Sequence, residues 1–367
     1  MTTQRTLTRR DVARGAVVVT AAAAGVLAAT PGGQAAPLDD VTGRDNRDNR
    51  DRRIDVHQHC TPPTWLDWAE SRGLADRNKV PWWAHWDANT TLSTMDEAGI
   101  ATAVVSLRLP QNAPYADDAQ YQESLRVAYD ALAELAEAHP GRFAFLAQAY
   151  LDNLDRASWS AQYGREAGAV GVELPTHDGQ GRYLGDPVFD PLLTQLDAER
   201  TVAMVHPVAL TRASEQNPDV PGLPSSVCDY LLATTRAAIN MMMHRTLDRF
   251  GQLSFVLVQG GGFLPYISAR VARAGASMTP PMDAALLPED LRRFHYDTAA
   301  PMSPHATPTL LATAGAPSLL YGTDWPYSTS EQMLDMAAAL DSDPALTSAQ
   351  RARINRGNAL ALFPSLG

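Results

Sequence analysis

From about residue 53 onward, short apolar runs rich in β-branched residues alternate with longer stretches in which apolar side chains recur every three or four positions. Short, nearly unbroken apolar runs suit parallel strands covered on both faces, and the longer periodic stretches suit amphipathic helices. Eight strands are predicted, at 54–57, 102–107, 143–148, 169–174, 202–206, 255–259, 294–298 and 319–323. Helical spacing is clearest over 119–138 and 228–250. Such a repeat builds either a doubly wound open sheet or a closed (β/α)8 TIM barrel of the α/β class, and eight units favour the barrel.

Two connections are long. Residues 60–90 carry five of the seven tryptophans, Trp65, Trp68, Trp82, Trp83 and Trp86. A lid or wall at the barrel mouth is expected there, with Trp83 and Trp86 as substrate contacts, against the plainer reading that a loop helix packs on the barrel. Residues 211–227 hold three prolines and read as a second rim loop.

The amino-terminal stretch has a different pattern. Arg9 and Arg10 precede an apolar run from Val17 to Ala29, too short for a stable bilayer span, and Gly33-Gln34-Ala35 offers a small-x-small cleavage site. Residues 1–35 therefore read as a twin-arginine-type signal peptide, 36–53 as a polar linker and 54–364 as the barrel. The expectation is a secreted or periplasmic protein, exported folded and free of the membrane after signal cleavage.

Charge and composition narrow the partners. The net charge is −11 and no basic face stands out, which argues against nucleic acid and leaves small molecules, anionic ones included. Lys79 is the sole lysine and sits in a polar loop stretch, so no strand end offers a lysine to bridge two metals, and a one-metal site is expected. Cys60 and Cys228 imply no disulfide framework; two buried thiols are expected, with a single bridge as the alternative.

The candidate chemistry lies at the carboxyl ends of the strands. His57 and His59 flank Gln58, and side chains two apart on a strand face the same way, so the two imidazoles are expected to point together into the barrel mouth. His206 ends the fifth strand and Asp324 follows the eighth. Three imidazoles and a carboxylate suit one divalent ion with room for a water, whose pKa the ion lowers. Asp297, at the end of the seventh strand, is placed to bond a histidine or the ion's water, or to fix its loop. Arg108, just past the second strand, is placed to grip a carboxylate.

These residues sit in longer motifs. They include Ile54-Asp55-Val56-His57-Gln58-His59, Gly168-Ala169-Val170-Gly171-Val172-Glu173-Leu174, His206-Pro207, Gly260-Gly261-Gly262, Tyr296-Asp297-Thr298-Ala299 and Gly322-Thr323-Asp324-Trp325-Pro326. Over about residues 52–364 the chain resembles the amidohydrolase-related (amidohydrolase 2) family. Its likeness is to the group with aminocarboxymuconate-semialdehyde, γ-resorcylate and 6-methylsalicylate decarboxylases and some lactone hydrolases. The resemblance implies that His57, His59, His206 and Asp324 hold zinc, with manganese as the alternative. It also implies loss of a carboxylate from an aromatic or unsaturated acid without an organic cofactor, and pairing as a homodimer.

One position departs from that group, where a histidine normally precedes the glycine run and assists proton transfer. Here Gln259 stands in its place, and an amide cannot exchange a proton near neutral pH. Three readings follow: a carboxy-lyase whose proton is managed by Asp324, Asp297 or the ion's water; a metal-dependent hydrolase of a lactone, ester or amide; or a binding protein without catalysis. His177, in the polar loop after the fourth strand, is the candidate replacement acid or base, and Glu173 would help order the site. His85 would reach the pocket only if its loop folds inward, and His244 reads as a packing or helix-surface residue.

Overall fold

The computed structural model describes residues 53–111, 113–208, 222–299 and 302–367. The signal peptide, most of the linker and much of the second rim loop thus lie outside the described residues. All eight predicted strands are present: β1 Arg53–Cys60, β2 Ile100–Leu107, β3 Phe143–Gln148, β4 Gly171–Pro175, β5 Val202–His206, β6 Ser254–Leu257, β7 His295–Asp297 and β8 Leu319–Leu320. They pair in chain order and in parallel throughout. Closure between β8 and β1 is made by backbone bonds beyond the short β8: Val56 donates to the Tyr321 carbonyl (3.0 Å), Asp324 to His57 (2.8 Å) and His59 to Trp325 (2.6 Å).

Two cores follow from strand alternation. Ile54, Val56, Val104, Leu146, Met204, Val256 and Leu320 fill the barrel interior, together with Ala359 and Phe363 from the last turns of the chain. The opposite faces, among them Ala103, Val105, Phe143, Phe145, Ala203 and Phe255, pack beneath the surrounding helices. No helix among the described residues is long and apolar enough to cross a membrane.

Several boundaries move for identifiable reasons. Arg53, expected to end the linker, already belongs to β1: it is buried, donates to the Ala98 carbonyl (2.7 Å) and pairs with Asp341 (2.7 Å). The helix expected over 228–250 runs from Ser225 to Met243, then turns at Arg245 (φ 53°) into the short helix Thr246–Arg249. The helix expected over 119–138 is Asp118–Ala138, started by the Asp117 side chain accepting from the Gln120 amide.

In β1 the register with β2 shifts: Asp55 faces Ala103 and Gln58 faces Val105, three steps against two. A bulge of this kind reverses which face the following side chains take. Ile54 and Val56 point into the barrel, so strict alternation would send His57 and His59 outward; the extra residue brings both inward. Asp55 braces the bulge. Its Oδ1 accepts from the amides of His57 (3.0 Å) and Thr323 (3.1 Å), and its Oδ2 accepts from Gln58 Nε2 (2.8 Å) and Thr323 Oγ1 (2.6 Å).

Candidate metal centre

His57, His59, His206 and Asp324 meet at the carboxyl end of the barrel, each offering one ligand atom, and these atoms all lie within 4.8 Å of one another. The three imidazoles stand mutually edge-on, with centroids 4.9, 5.3 and 5.0 Å apart and interplanar angles of 85°, 89° and 89°. Each ring is held by its far nitrogen. His57 Nδ1 donates to Asp297 Oδ2 (2.7 Å), His206 Nδ1 to the Pro207 carbonyl (2.8 Å) and His59 Nδ1 to Ser106 Oγ (2.7 Å). The carboxylate and the carbonyl can only accept, so Nδ1 of His57 and His206 carries the hydrogen and Nε2 keeps its lone pair; the Ser106 hydroxyl fits the same tautomer of His59, since its own hydrogen can go to the Gln58 carbonyl (3.5 Å).

That tautomer sets the test of whether an ion fits. His57 Nε2 and His59 Nε2 lie 3.1 Å apart, two lone pairs aimed at each other, and His206 Nε2 is buried with no hydrogen-bond partner. Asp324 Oδ1 adds a negative oxygen 2.9 Å from His59 Nε2 and 3.4 Å from His57 Nε2. Four converging electron-pair donors repel unless a positive charge sits among them, and a borderline-soft divalent ion matches the set. The same field acts on a proton. Burial disfavours a charged His57, but Asp324 and Asp297 outweigh it and hold its pKa up at about 9. His59 and His206 are pushed well below 6.5, by burial first and by Arg108 next.

Arg108 reaches the centre, with Nη2 3.4 Å from His59 Nε2. Its fork is already engaged by Glu173, Nη1 to Oε1 at 2.7 Å and Nη2 to Oε2 at 3.2 Å, and Nη1 also donates to the Leu107 carbonyl (2.8 Å). Burial opposes ionisation of Glu173, yet Arg108 holds its carboxyl well below the usual range. Arg108 is therefore not the open two-pronged clamp expected from sequence. What remains toward the centre is the second hydrogen of Nη2.

Gln259 lies beyond β6 rather than in a strand reaching 259, in a tight turn at φ 54° followed by Gly260, Gly261 and Gly262, all at positive φ. The glycines are required by crowding as well as by dihedral angle: a Cβ at Gly262 would run into the Leu231 carbonyl of the neighbouring helix. The Gln259 amide donates to Asp297 Oδ1 (2.6 Å), and its side-chain nitrogen donates to Asp324 Oδ2 (3.2 Å). Asp297, fully buried, also accepts from the Ala299 amide (3.1 Å), so it touches His57 and the Gln259 turn at once.

A cavity of about 490 Å³ meets the centre at Asp324 and is lined also by Gln259, Tyr327, Met302, Gln332 and Met336. Trp83 reaches this wall through Tyr327: the Trp83 and Tyr327 rings are 5.7 Å apart and the Tyr327 and His59 rings 5.3 Å. Tyr327 was not singled out in sequence, although it directly follows the Asp324-Trp325-Pro326 run; burial pushes its hydroxyl up to about 12.

The remaining expectations fall elsewhere. Trp86 packs edge-on against Phe143 at the start of β3 and borders an outer cleft with Cys60, so it does not line the mouth. The loop's apolar content buries Trp65 and Trp86, while Trp82 is exposed. His177 is buried, donates from Nδ1 to the Asp178 carbonyl (2.8 Å) and lies against Tyr183; among the described residues it makes no hydrogen bond or ring contact with the four ligands. His85 is exposed, and Lys79 pairs at the surface with Asp76 (2.7 Å). Both cysteines are free; Cys60 is buried as expected, but Cys228 is exposed.

Comparison with known proteins places this geometry. The sequence model of a family described as amidohydrolase matches residues 54–365. The chain is 28% identical over 330 residues to decarboxylase yanB of Aspergillus niger, covering 85% of this chain and 87% of that one. It is 27% identical over 332 residues to 6-methylsalicylic acid decarboxylase of Penicillium expansum, covering 86% and 97%. A crystal structure of 2,6-dihydroxybenzoate decarboxylase complexed with 2,6-dihydroxybenzoate superposes with a TM-score of 0.70 at 23% identity, covering 86% of this chain and 99% of that one, a likeness of fold.

Proposed function

The chain belongs to the amidohydrolase family, and from that premise we propose that it is a metal-dependent carboxy-lyase acting on a small aromatic or unsaturated carboxylic acid. The observation that carries the proposal is the cluster of three buried imidazoles and one carboxylate, whose Asp324 also lines a cavity of about 490 Å³, a size suited to a single substituted ring. A divalent ion on His57, His59, His206 and Asp324, zinc in our reading with manganese as the alternative, would supply the positive charge that draws in and polarises a carboxylate.

The protein's own groups then divide the work. Asp297 and Ser106 keep the lone pairs of His57 and His59 aimed inward. Arg108, held by Glu173, turns its remaining Nη2 hydrogen toward the centre and helps anchor an anionic substrate. The proton has to reach the carbon that bears the carboxylate; the carbon–carbon bond then breaks, its electron pair restores the conjugated system and carbon dioxide leaves. Gln259 cannot deliver that proton, and Tyr327, at about 12, stays protonated near neutral pH and serves as a hydrogen-bond donor. Asp324 is the carboxylate that touches both the ligand cluster and the cavity, and we assign it the transfer. Arg9-Arg10 and the apolar run after them support a further proposal, that this chemistry takes place outside the cytoplasm.

The test is a panel of hydroxylated benzoic acids with metal-loaded protein, following carbon dioxide and the product arene in labelled water. Carbon dioxide release without incorporation of solvent oxygen is expected, with a loss on the order of 100-fold or more in Asp324→Asn. Lactone or ester opening with solvent oxygen in the product, and no carbon dioxide from any acid, would replace the carboxy-lyase by a hydrolase.

A further inference from the structure

The cavity that meets the centre at Asp324 continues well beyond it. Its lining residues Gln332, Asp335, Met336, Ala339 and Leu340 lie on the helix Ser330–Ser342 at steps of three, four, seven and eight from Gln332, which is one face of a helix. From Gln332 to Leu340 the helix advances about 12 Å. It starts at the barrel mouth, shortly after Asp324, and runs back toward the amino ends of the strands, where Asp341 pairs with Arg53 at the start of β1 (2.7 Å). The lining also includes Tyr321, which belongs to the outer core beneath the helices, whereas its neighbour Leu320 fills the barrel interior. The cavity therefore extends into a slot between the barrel wall and this helix.

The chemistry of the slot differs from that of the centre. Met336, Ala339 and Leu340 make its wall apolar along the helix, and Met302 lines the same space. Among the described lining residues the charged ones are Asp324 and Asp335, both carboxylates, and there is no lysine or arginine. Arg53 stacks 5.4 Å over the Tyr321 ring, but it is engaged by Asp341 and is not part of the lining. Among the described residues, positive charge is thus offered to an acid at the centre, by Arg108 and by the ion that the ligands would hold. A second anionic group in the slot would find no cation and would share the space with Asp335, whereas an apolar chain leaves water for methionine and leucine at no such cost. We propose that the acid taken by this site carries an uncharged apolar arm of several carbons, which lies along Met336, Ala339 and Leu340, and that a second carboxylate on this arm is rejected.

This inference rests on the reading that an aromatic acid binds at the ligand cluster, and the experiment separates the two because it measures binding rather than turnover. Metal-loaded full-length protein is titrated calorimetrically with 2-hydroxybenzoates that bear a methyl, propyl or pentyl arm at each free ring position, and with the pentyl acids whose arm ends in a carboxylate. In wild type, at least one positional series should tighten by about threefold per added carbon, and the terminal carboxylate should cost about tenfold or more. Ala339→Phe fills the slot, and Met336→Gln makes its wall polar at similar length. Each should reduce the gain to less than about twofold per carbon, with metal content by elemental analysis unchanged. Asp335→Asn should recover about threefold of the loss for the carboxylate-ended arm, and less at high salt. Flat affinity or no binding in every series overturns the proposal. So does a gain that survives undiminished in a metal-replete variant, or a carboxylate-ended arm bound as tightly as the alkyl one. Dependence on arm length without carbon dioxide release from any of these acids would remove the carboxy-lyase reading and keep the slot; carbon dioxide release with no dependence on arm length would do the reverse.

Discussion

At the scale of single residues, Asp297 shows how a site can depend on a side chain that does no chemistry itself. One of its oxygens accepts from His57 Nδ1 and the other from the amides of Gln259 and Ala299. An asparagine in its place has one oxygen for these donors, and its amide would face either an imidazole N–H or a backbone N–H. Asp297→Asn should therefore weaken metal binding by roughly 10- to 100-fold, measured by competition with a chromogenic chelator. A variant that holds metal as tightly as wild type would show that the aspartate does not set the His57 tautomer. Strain points to the same place: among the described residues, four non-glycine positions have positive φ, and two of them, Gln259 and Asp324, are bonded to each other in the centre.

At the scale of elements, the decisive feature is the bulge in β1. The residue types and the two-residue spacing of His57 and His59 were legible in sequence, and so was their common direction. The inward direction was expected too, but not what produces it, a register shift against β2 braced by Asp55 from the far side of the barrel closure. Asp55→Ala removes the acceptor of four buried donors, each of which costs about 1–3 kcal/mol when left unsatisfied. The melting temperature should drop by several degrees and the metal content should fall with it. A destabilised variant that still binds a full equivalent of metal would show that the bulge holds without its brace. The tryptophan-rich loop gives the converse lesson. Its composition marked a structured segment, but only packing decided that Trp83 reaches Tyr327 while Trp86 turns to Phe143.

At the scale of the whole molecule, the ligand histidines tie stability to pH. Without metal, His59 and His206 stay neutral well below 6.5, whereas the unfolded chain takes up protons there; their stabilisation is present above about pH 6.5 and is lost as the pH falls. His57 has the opposite sign. Held at about 9, it keeps a proton that the unfolded chain releases above 6.5, so its contribution is full below that value and is lost as the pH rises toward 9. Asp55, pushed up to about 6 by burial, gains stability as it protonates and partly offsets the acid loss. Metal-free protein should thus lose melting temperature on the alkaline side of about pH 6.5. Metal-loaded protein should not, because the ion takes the place of the His57 proton. Thermal melts from about pH 5 to 9, with chelator and with metal, check this; a metal-free melting temperature that climbs steadily to pH 9 would contradict it.

The sequence by itself determined the eight-strand repeat, the carboxyl-end position of the ligands and the presence of an amide where a proton carrier is expected. It could do so because hydrophobic period and residue type are local properties of the chain. Tertiary structure alone decided the register shift that turns the histidines inward, that Arg108 is committed to Glu173 and that the Gln259 side chain is bonded to Asp324. Each of these is a contact between residues 65 positions apart or a shift of register between strands, and no local pattern encodes either.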